Sequence, residues 1–352
     1  MAWGANYSII FGIIILGLFG STQLVFAEPY LLSNGPGDGT VIVGVNGFGG
    51  FGSFNGPDAS DAFFDPGASS PAQTTLASAI AIRLGTEEID GARAFLTSGG
   101  FLFGSPDLPN PPIAGTPTSA TSTFFSNDLQ FDLIQTLTKT SSGTTLTQKY
   151  TITNPTTSTI EFELIRYLDG DLQFDLSIDD AGGRLINSDG VEILFETDAV
   201  GDSSTSTTFV GVTSEGGTVP ILKRYEMNEF DAFGIGVFLG DDLLNLIFND
   251  LDADQFIDTA YDVSLALRNE FSLGADESVV YVTKTIFGSG APEDVEIDPP
   301  TEEMVGGIIL PIDTMALLIA GAKFNAFFIL STLALTGAFA FGVLYYKTKR
   351  VN

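Results

Sequence analysis

For much of its length the chain switches between apolar and polar at every residue, and side chains with a period of two belong to strands, because successive Cβ atoms on an extended backbone point to opposite sides. Leu129, Phe131 and Leu133 alternate with Gln130 and Asp132. Leu146, Tyr150 and Ile152 share a side opposite Thr145, Thr147, Lys149 and Thr151, while Ile160, Phe162 and Leu164 alternate with Glu161 and Glu163. The pattern returns over residues 191–197, 207–214, 263–271 and 278–287, broken by turn sequences such as Ser142-Gly143, Asn154-Pro155, Ser188-Asp189-Gly190 and Gly216-Gly217. Short strands with Thr-rich outer sides and little helix predict an all-β fold: a large antiparallel β-sandwich, or two packed sandwiches, over residues 118–291.

Residues 28–117 have another texture. NGFGGFGSF (46–54) and FLFGSPDLPNPPIAGTP (101–117) are dense in Gly, Pro and Phe and read as long loops, with strands expected only at 40–45 and 79–84. A phosphate loop is excluded, because the Lys and Ser or Thr of the Walker arrangement are missing and no helix pattern follows.

The two ends read as targeting and anchoring segments. Residues 8–26 are apolar and uncharged and run into Val25-Phe26-Ala27, a small-residue cleavage pattern, so residues 1–27 are expected to be a signal peptide. Residues 324–346 carry no charge and as a helix would reach ~34 Å, enough to cross a bilayer. Lys347, Lys349 and Arg350 follow in a tail at 347–352, which the positive-inside rule puts in the cytoplasm with residues 28–305 outside. Between them lie an acidic, Pro- and Gly-rich stalk at 292–307 and a juxtamembrane segment at 308–323 that ends in Lys323.

Composition narrows the chemistry. The chain has neither Cys nor His, which removes disulfides, thiolate and imidazole metal sites, the usual nucleophile triads and histidine pH switches. Its net charge is −30, and residues 28–305 hold 43 of its 44 acids against 10 of its 14 basic residues, so nucleic acid is not a partner and cations are. That acidity fits both adaptation to salt and specific cation sites. Carboxylate glycosidase chemistry needs two acids in a cleft, usually with aromatic platforms, and the single Trp, Trp3, lies in the expected signal, so an enzyme is not expected. Asn154-Pro-Thr is blocked as a glycosylation acceptor by its proline.

The strongest candidate site is Asp250-Leu-Asp252-Ala-Asp254-Gln-Phe-Ile-Asp258 with Asp262. Oxygens at every second residue let one loop wrap a hard cation. Asp250, Asp252, Asp254 and Asp258 fill places 1, 3, 5 and 9 of a calcium loop, and the Phe256 carbonyl takes the seventh. Gln255 stands where the sharp turn wants Gly and Tyr261 where a bidentate Glu belongs, so Asp262 is expected to substitute and the loop to lie between strands. A second cluster, Asp169-Gly170-Asp171 with Asp175, Asp179 and Asp180, reads first as a turn and second as an ion site. Arg166 beside it is expected to form an ion pair, and Glu161 and Glu163 to face solvent.

Two resemblances add to this. GGIILPIDTMALLIAGA (306–322), with Pro311, Ile312, Asp313 and Thr314, resembles the C-terminal anchor of archaeal cell-surface proteins and has the layout of sorting signals; it implies surface display. Ser126-Asn127-Asp128-Leu129 and the stretches at 152–171, 190–198 and 261–290 resemble secreted proteins of bacteria and archaea that combine C-terminal sorting signals with a galactose-mutarotase-like sandwich. That resemblance implies fold and export and brings no activity, since the His residues such enzymes use are absent. The combined expectation is a β-sandwich ectodomain on one C-terminal transmembrane helix, a structural or adhesion protein braced by calcium, with envelope proteins or glycans as partners. A carbohydrate-binding or carbohydrate-processing module is the alternative.

Overall fold

The computed structural model describes residues 29–52, 60–85, 94–96, 108–230 and 242–295. The expected signal (1–27), juxtamembrane segment (308–323), membrane helix (324–346) and tail (347–352) lie outside these residues. Among the described residues no helix is long and apolar enough to cross a membrane.

The strands, numbered in chain order, form three sheets. A small sheet runs β1 (Tyr30–Ser33), β2 (Thr40–Val45), β3 (Ala62–Asp65), β4 (Ala72–Gln73). An eight-stranded sheet runs β12 (Ala181–Ile186), β13 (Glu192–Thr197), β14 (Thr207–Glu215), β18 (Ser278–Gly290), β10 (Gly143–Thr153), β9 (Leu129–Lys139), β8 (Ser119–Ser126), β7 (Ala114–Thr116). A six-stranded sheet runs β16 (Leu246–Ile247), β15 (Tyr225–Glu229), β17 (Val263–Leu273), β11 (Ile160–Gly170), β5 (Thr75–Leu84), β6 (Ala94–Phe95). Pairing is antiparallel except between β15 and β16. The long strands are the ones with the clearest alternation, rich in the β-branched and aromatic residues that suit a pleated surface.

The two large sheets face each other across an aromatic core. Phe131, Leu133, Tyr150 and Ile152 from one meet Phe162, Leu164 and Phe271 from the other. The Phe162 and Phe271 rings stack at 4.9 Å and Tyr281 meets Phe271 edge-on at 6.0 Å. Burial of each such side chain contributes roughly 1.5–3 kcal/mol, so this layer outweighs any single polar contact in the fold. Strand β5 comes from the Gly- and Pro-rich part of the chain yet pairs with β11 from Thr75 to Leu84, so that part and the sandwich share one sheet.

Several expectations change. The six-stranded sheet is covered on both sides: β11 is buried from Phe162 through Gly170, and Ala77, Ala79, Ala81, Ile165, Tyr167 and Ala266 pack with Phe95 and Leu243 on its far side. Glu161 is exposed, but Glu163 is wholly buried on that far side, 3.0 Å from Arg83 Nε and 2.8 Å from Arg268 Nε. Arg166 points between the sheets and makes no ion pair among the described residues. Its guanidinium donates to the hydroxyls of Thr283 (3.0 Å), Thr285 (2.9 Å) and Ser78 (2.8 Å), and burial lowers its pKa to about 10 despite the raising influence of Tyr281 and Tyr150. The expected stalk begins docked rather than exposed: Pro292–Asp294 form a 3-10 turn and Val295 is buried with Phe209 and Ile286.

The Gly-rich segment is a loop, as its composition indicates, but residues 46–50 are buried. Its backbone carbonyls accept bonds from the eight-stranded sheet: Ser122 Oγ to Gly47 (2.6 Å), Gln135 Nε2 to Asn46 (3.2 Å), Gln148 Nε2 to Gly49 (2.5 Å) and Tyr150 Oη to Phe48 (3.0 Å). Gly49 has φ +95°, and a Cβ there would lie 2.1 Å from the Tyr150 hydroxyl, so only glycine fits.

Candidate functional site

The Asp250 loop leaves β16, and its backbone bends through left-handed residues: Asn249, Ala253 and Gln255 have φ of 62°, 65° and 75°. Gln255 therefore adopts the conformation that the sixth place of a calcium loop ordinarily assigns to glycine. The acids shape the turn themselves. Asp250 accepts the N–H groups of Asp254 and Gln255, both at 3.1 Å, Asp254 accepts that of Phe256 at 2.9 Å, and Asp258 accepts that of Leu251 at 2.7 Å. One carboxylate oxygen from each of Asp250, Asp252 and Asp254 lies within 4.8 Å of the others. Desolvation and the charges of Asp252 and Asp250 push the Asp254 carboxyl above its ordinary range, against the lowering effect of the Phe256 N–H.

The loop is fastened to the edge strand of the eight-stranded sheet. Arg184 N donates to Gln255 O at 3.0 Å and Ile257 N to Gly182 O at 2.9 Å, which adds a short bridge to β12 and covers an otherwise open edge. Phe256 lies 5.7 Å from Phe195. Of the six expected ligands, Asp250, Asp252 and Asp254 come together. Asp258 is committed on one oxygen to Leu251, Phe256 is the bridging residue, and Asp262 belongs to a second group of acids at the start of β17.

That second group extends the cluster at 169–180 in a way the sequence did not reveal. Asp169 and Asp180 are buried, whereas Asp175 and Asp179 are exposed. Glu196 of β13 joins them, fully buried, with Oε1 accepting Gly170 N–H at 3.2 Å. A Cβ on residue 170 would lie 1.6 Å from Glu196 Oε2, so glycine there is what admits the carboxylate. Desolvation raises all four inner acids, helped by the charges of neighbouring acids, Asp262 and Asp61 on Asp171 and Asp175 and Asp171 on Asp180: Asp171 to about 6, Asp180 to about 8, and Asp169 and Glu196 well above the carboxylate range. Sequence reasoning missed Glu196 because GVEILFETD alternates on both sides and both sides of β13 are covered; the available signal was an acid in phase with Leu194.

A surface hollow of about 640 Å³ is lined by Arg184, Glu192, Arg224, Tyr225 and Asn245. Arg184 stacks 4.3 Å from the Tyr225 ring centre, and both arginines bind Glu192, at 2.7 and 3.0 Å. Two arginines side by side stand out on so acidic a chain.

No family model matches the chain, and no curated protein matches it. Among solved structures it is similar to a galactose mutarotase related enzyme from Lactobacillus acidophilus, at 10% identity over 77% of this chain and 100% of that one, with a TM-score of 0.36. It is similar to a putative aldose 1-epimerase from Escherichia coli K12, at 10% identity over 74% and 99% of the two chains, TM-score 0.32. A polysaccharide lyase matches at 10% identity over 61% of this chain, TM-score 0.34, and the chain spans about a quarter of that protein's length, 26%. At these scores none of the three carries an activity across.

Proposed function

We propose that this chain is a surface-displayed binding module, held outside the cell by its C-terminal helix, braced by calcium at the Asp250 loop, and acting by interaction rather than turnover. The observation that supports the brace is the approach of Asp250, Asp252 and Asp254 to within 4.8 Å on a loop fastened to β12. Three carboxylates so placed repel one another, and an ion bound only by the folded state adds RT ln(1 + [L]/Kd), about 2.7 kcal/mol at a hundredfold excess over Kd. The test is thermal melting of the purified full-length protein in chelator, in millimolar calcium, and in sodium chloride of matched ionic strength, for wild type and Asp252→Asn/Asp254→Asn. Calcium should raise the melting temperature beyond the salt control in wild type and less in the variant. Equal effects of calcium and sodium would leave the acidity as diffuse surface charge.

A second reading, a carbohydrate-binding module, is favoured by the hollow around Arg184, Arg224 and Tyr225, where the carboxylate of an acidic saccharide would compete with Glu192 for the two guanidinium groups. A glycan array carrying neutral and uronic oligosaccharides separates the two. Retention of uronic glycans that Arg184→Ala abolishes would favour the carbohydrate reading.

A further inference from the structure

Glu192 stands where a bound acid would stand. Its oxygens go one each to Arg184 Nε (2.7 Å) and Arg224 Nε (3.0 Å), and among the described residues its carboxylate has no other hydrogen-bond partner. Two roles fit a carboxylate so placed: a strut that holds the arginines in position, or a plug on arginines that other groups hold. The contacts of the arginines decide between them. Arg224 donates through Nη1 to the Arg268 carbonyl in β17 and through Nη2 to the Ser214 carbonyl in β14, so backbone from both large sheets fixes its guanidinium. The Arg184 guanidinium lies 4.3 Å from the centre of the Tyr225 ring and donates through Nη1 to Gln255 Oε1 at 3.4 Å. The Tyr225 hydroxyl donates to that same oxygen at 3.2 Å, so ring, amide and guanidinium brace one another. Each arginine is placed without Glu192.

The trio is also within reach of solvent: the side chains of Arg184 and Arg224 are 21% and 25% exposed and that of Glu192 13%. An ion pair this open to water is exchanged at small cost. An incoming carboxylate keeps the charge balance and both charge-assisted bonds, whereas a neutral hydroxyl keeps neither. Ile186 and Leu222, exposed on the wall of the same hollow, offer apolar surface to the C–H side of a sugar ring beside that carboxylate. We propose that Glu192 is a built-in plug that a uronic-acid residue displaces, and that it sets the specificity of the hollow: acidic saccharides exchange with it and neutral ones do not. This rests on the reading of the hollow as a carbohydrate site. Its consequence runs opposite to that of a strut, since deleting Glu192 improves binding.

The experiment is calorimetric titration of the full-length protein with trigalacturonate, and with neutral galactotriose as control. Glu192→Ala should bind trigalacturonate at least tenfold tighter than wild type, Arg184→Ala/Glu192→Ala should lose that gain, and galactotriose should gain nothing. Affinity of Glu192→Ala equal to or below that of wild type, with wild-type binding abolished by Arg184→Ala, overturns the plug and leaves the hollow as a carbohydrate site. An equal gain for galactotriose overturns the plug as well, since the hollow has then merely opened. Absence of trigalacturonate binding in every protein overturns both. Far-UV circular dichroism checks that each variant folds, and Glu192→Gln, of the same shape, carries the test should alanine disturb the edge of the sheet, because it too should bind trigalacturonate more tightly than wild type. A second readout needs no saccharide. Sodium acetate should raise the melting temperature of Glu192→Ala above that in sodium chloride of equal ionic strength, by more than the same exchange of salts does for wild type, as acetate refills the vacated place; an equal effect on both proteins refutes the plug.

Discussion

Replacing Gly49 by alanine tests how the buried loop at 46–50 is held. Three costs add. The residue has φ +95°, which a side chain tolerates at about 1–3 kcal/mol. The new Cβ would stand 2.1 Å from Tyr150 Oη and 2.9 Å from Gln148 Nε2, and overpacking of a filled core costs about 1–3 kcal/mol. If the hydroxyl moves away, the Phe48 carbonyl loses its 3.0 Å bond, and a buried acceptor left alone costs about 1–3 kcal/mol. Gly49→Ala should therefore lose at least about 2 kcal/mol. Tyr150→Phe alone removes the bond but opens the space, at about 1–3 kcal/mol. The decisive measurement is the double variant, because with no hydroxyl to strike, the alanine retains chiefly its backbone strain. In urea unfolding at constant slope, Gly49→Ala/Tyr150→Phe should be more stable than the sum of the single losses implies, by about 1–3 kcal/mol. Additivity within about 0.5 kcal/mol would refute the steric account, and a Gly49→Ala loss below about 1 kcal/mol would refute the buried placement of the loop.

In calcium-free buffer the acids near Gly170 predict an inverted pH profile. Their folded pKa values are raised, so the stability they contribute is full below about pH 4 and is lost as pH rises through about 6 for Asp171 and about 8 for Asp180. The melting temperature in chelator should fall between pH 5 and pH 8, and Asp169→Asn/Glu196→Gln should flatten that fall; a rise with pH contradicts the burial of these groups. At the opposite end of β11, Glu163→Ala deprives Arg83 and Arg268 of their shared carboxylate and should cost about 3–5 kcal/mol, whereas exposed Glu161→Ala should stay within about 0.5 kcal/mol by the same denaturation assay.

The contrast between those two glutamates shows where the sequence was legible. Alternation in β9, β10 and β11 identified the strands and correctly aimed Leu133, Tyr150 and Phe162 at the core. It also placed Glu163 on the side away from that core, but period two reports sides, not what covers them, and a second layer containing Phe95 and Leu243 covers that one. Strands β1, β3 and β4 escaped notice because runs of two to four residues among Gly, Pro and Phe are too short to display a period. The buried state of residues 46–50 was hidden for another reason: Ser122, Gln135, Gln148 and Tyr150, which satisfy its carbonyls, lie 75 to 102 positions away. For the candidate site, spacing alone brought out Asp250, Asp252 and Asp254, which are local to one loop. It did not join Gly170 to Glu196, because that contact depends on two sheets stacking.

The order of strands has a consequence for how the chain is made. The last long strands occupy the middle of both large sheets: β18 separates β14 from β10, and β17 separates β15 from β11. A chain emerging from its N-terminus first presents β7 to β10 and β12 to β14 as two blocks with nothing between them, and the seam along Gly143–Thr153 closes only when Ser278 to Gly288 arrive. At synthesis rates of about 5–20 residues per second, β10 waits many seconds with an open edge. Such a polypeptide remains unlocked until both strands have been delivered, and the turn at Gly274, whose N–H is held by Glu277 at 2.7 Å, carries the chain from β17 in one sheet to β18 in the other. Folding order here is written into strand position: among the described residues, the two strands that complete the middle of both large sheets are the last long ones to be translated.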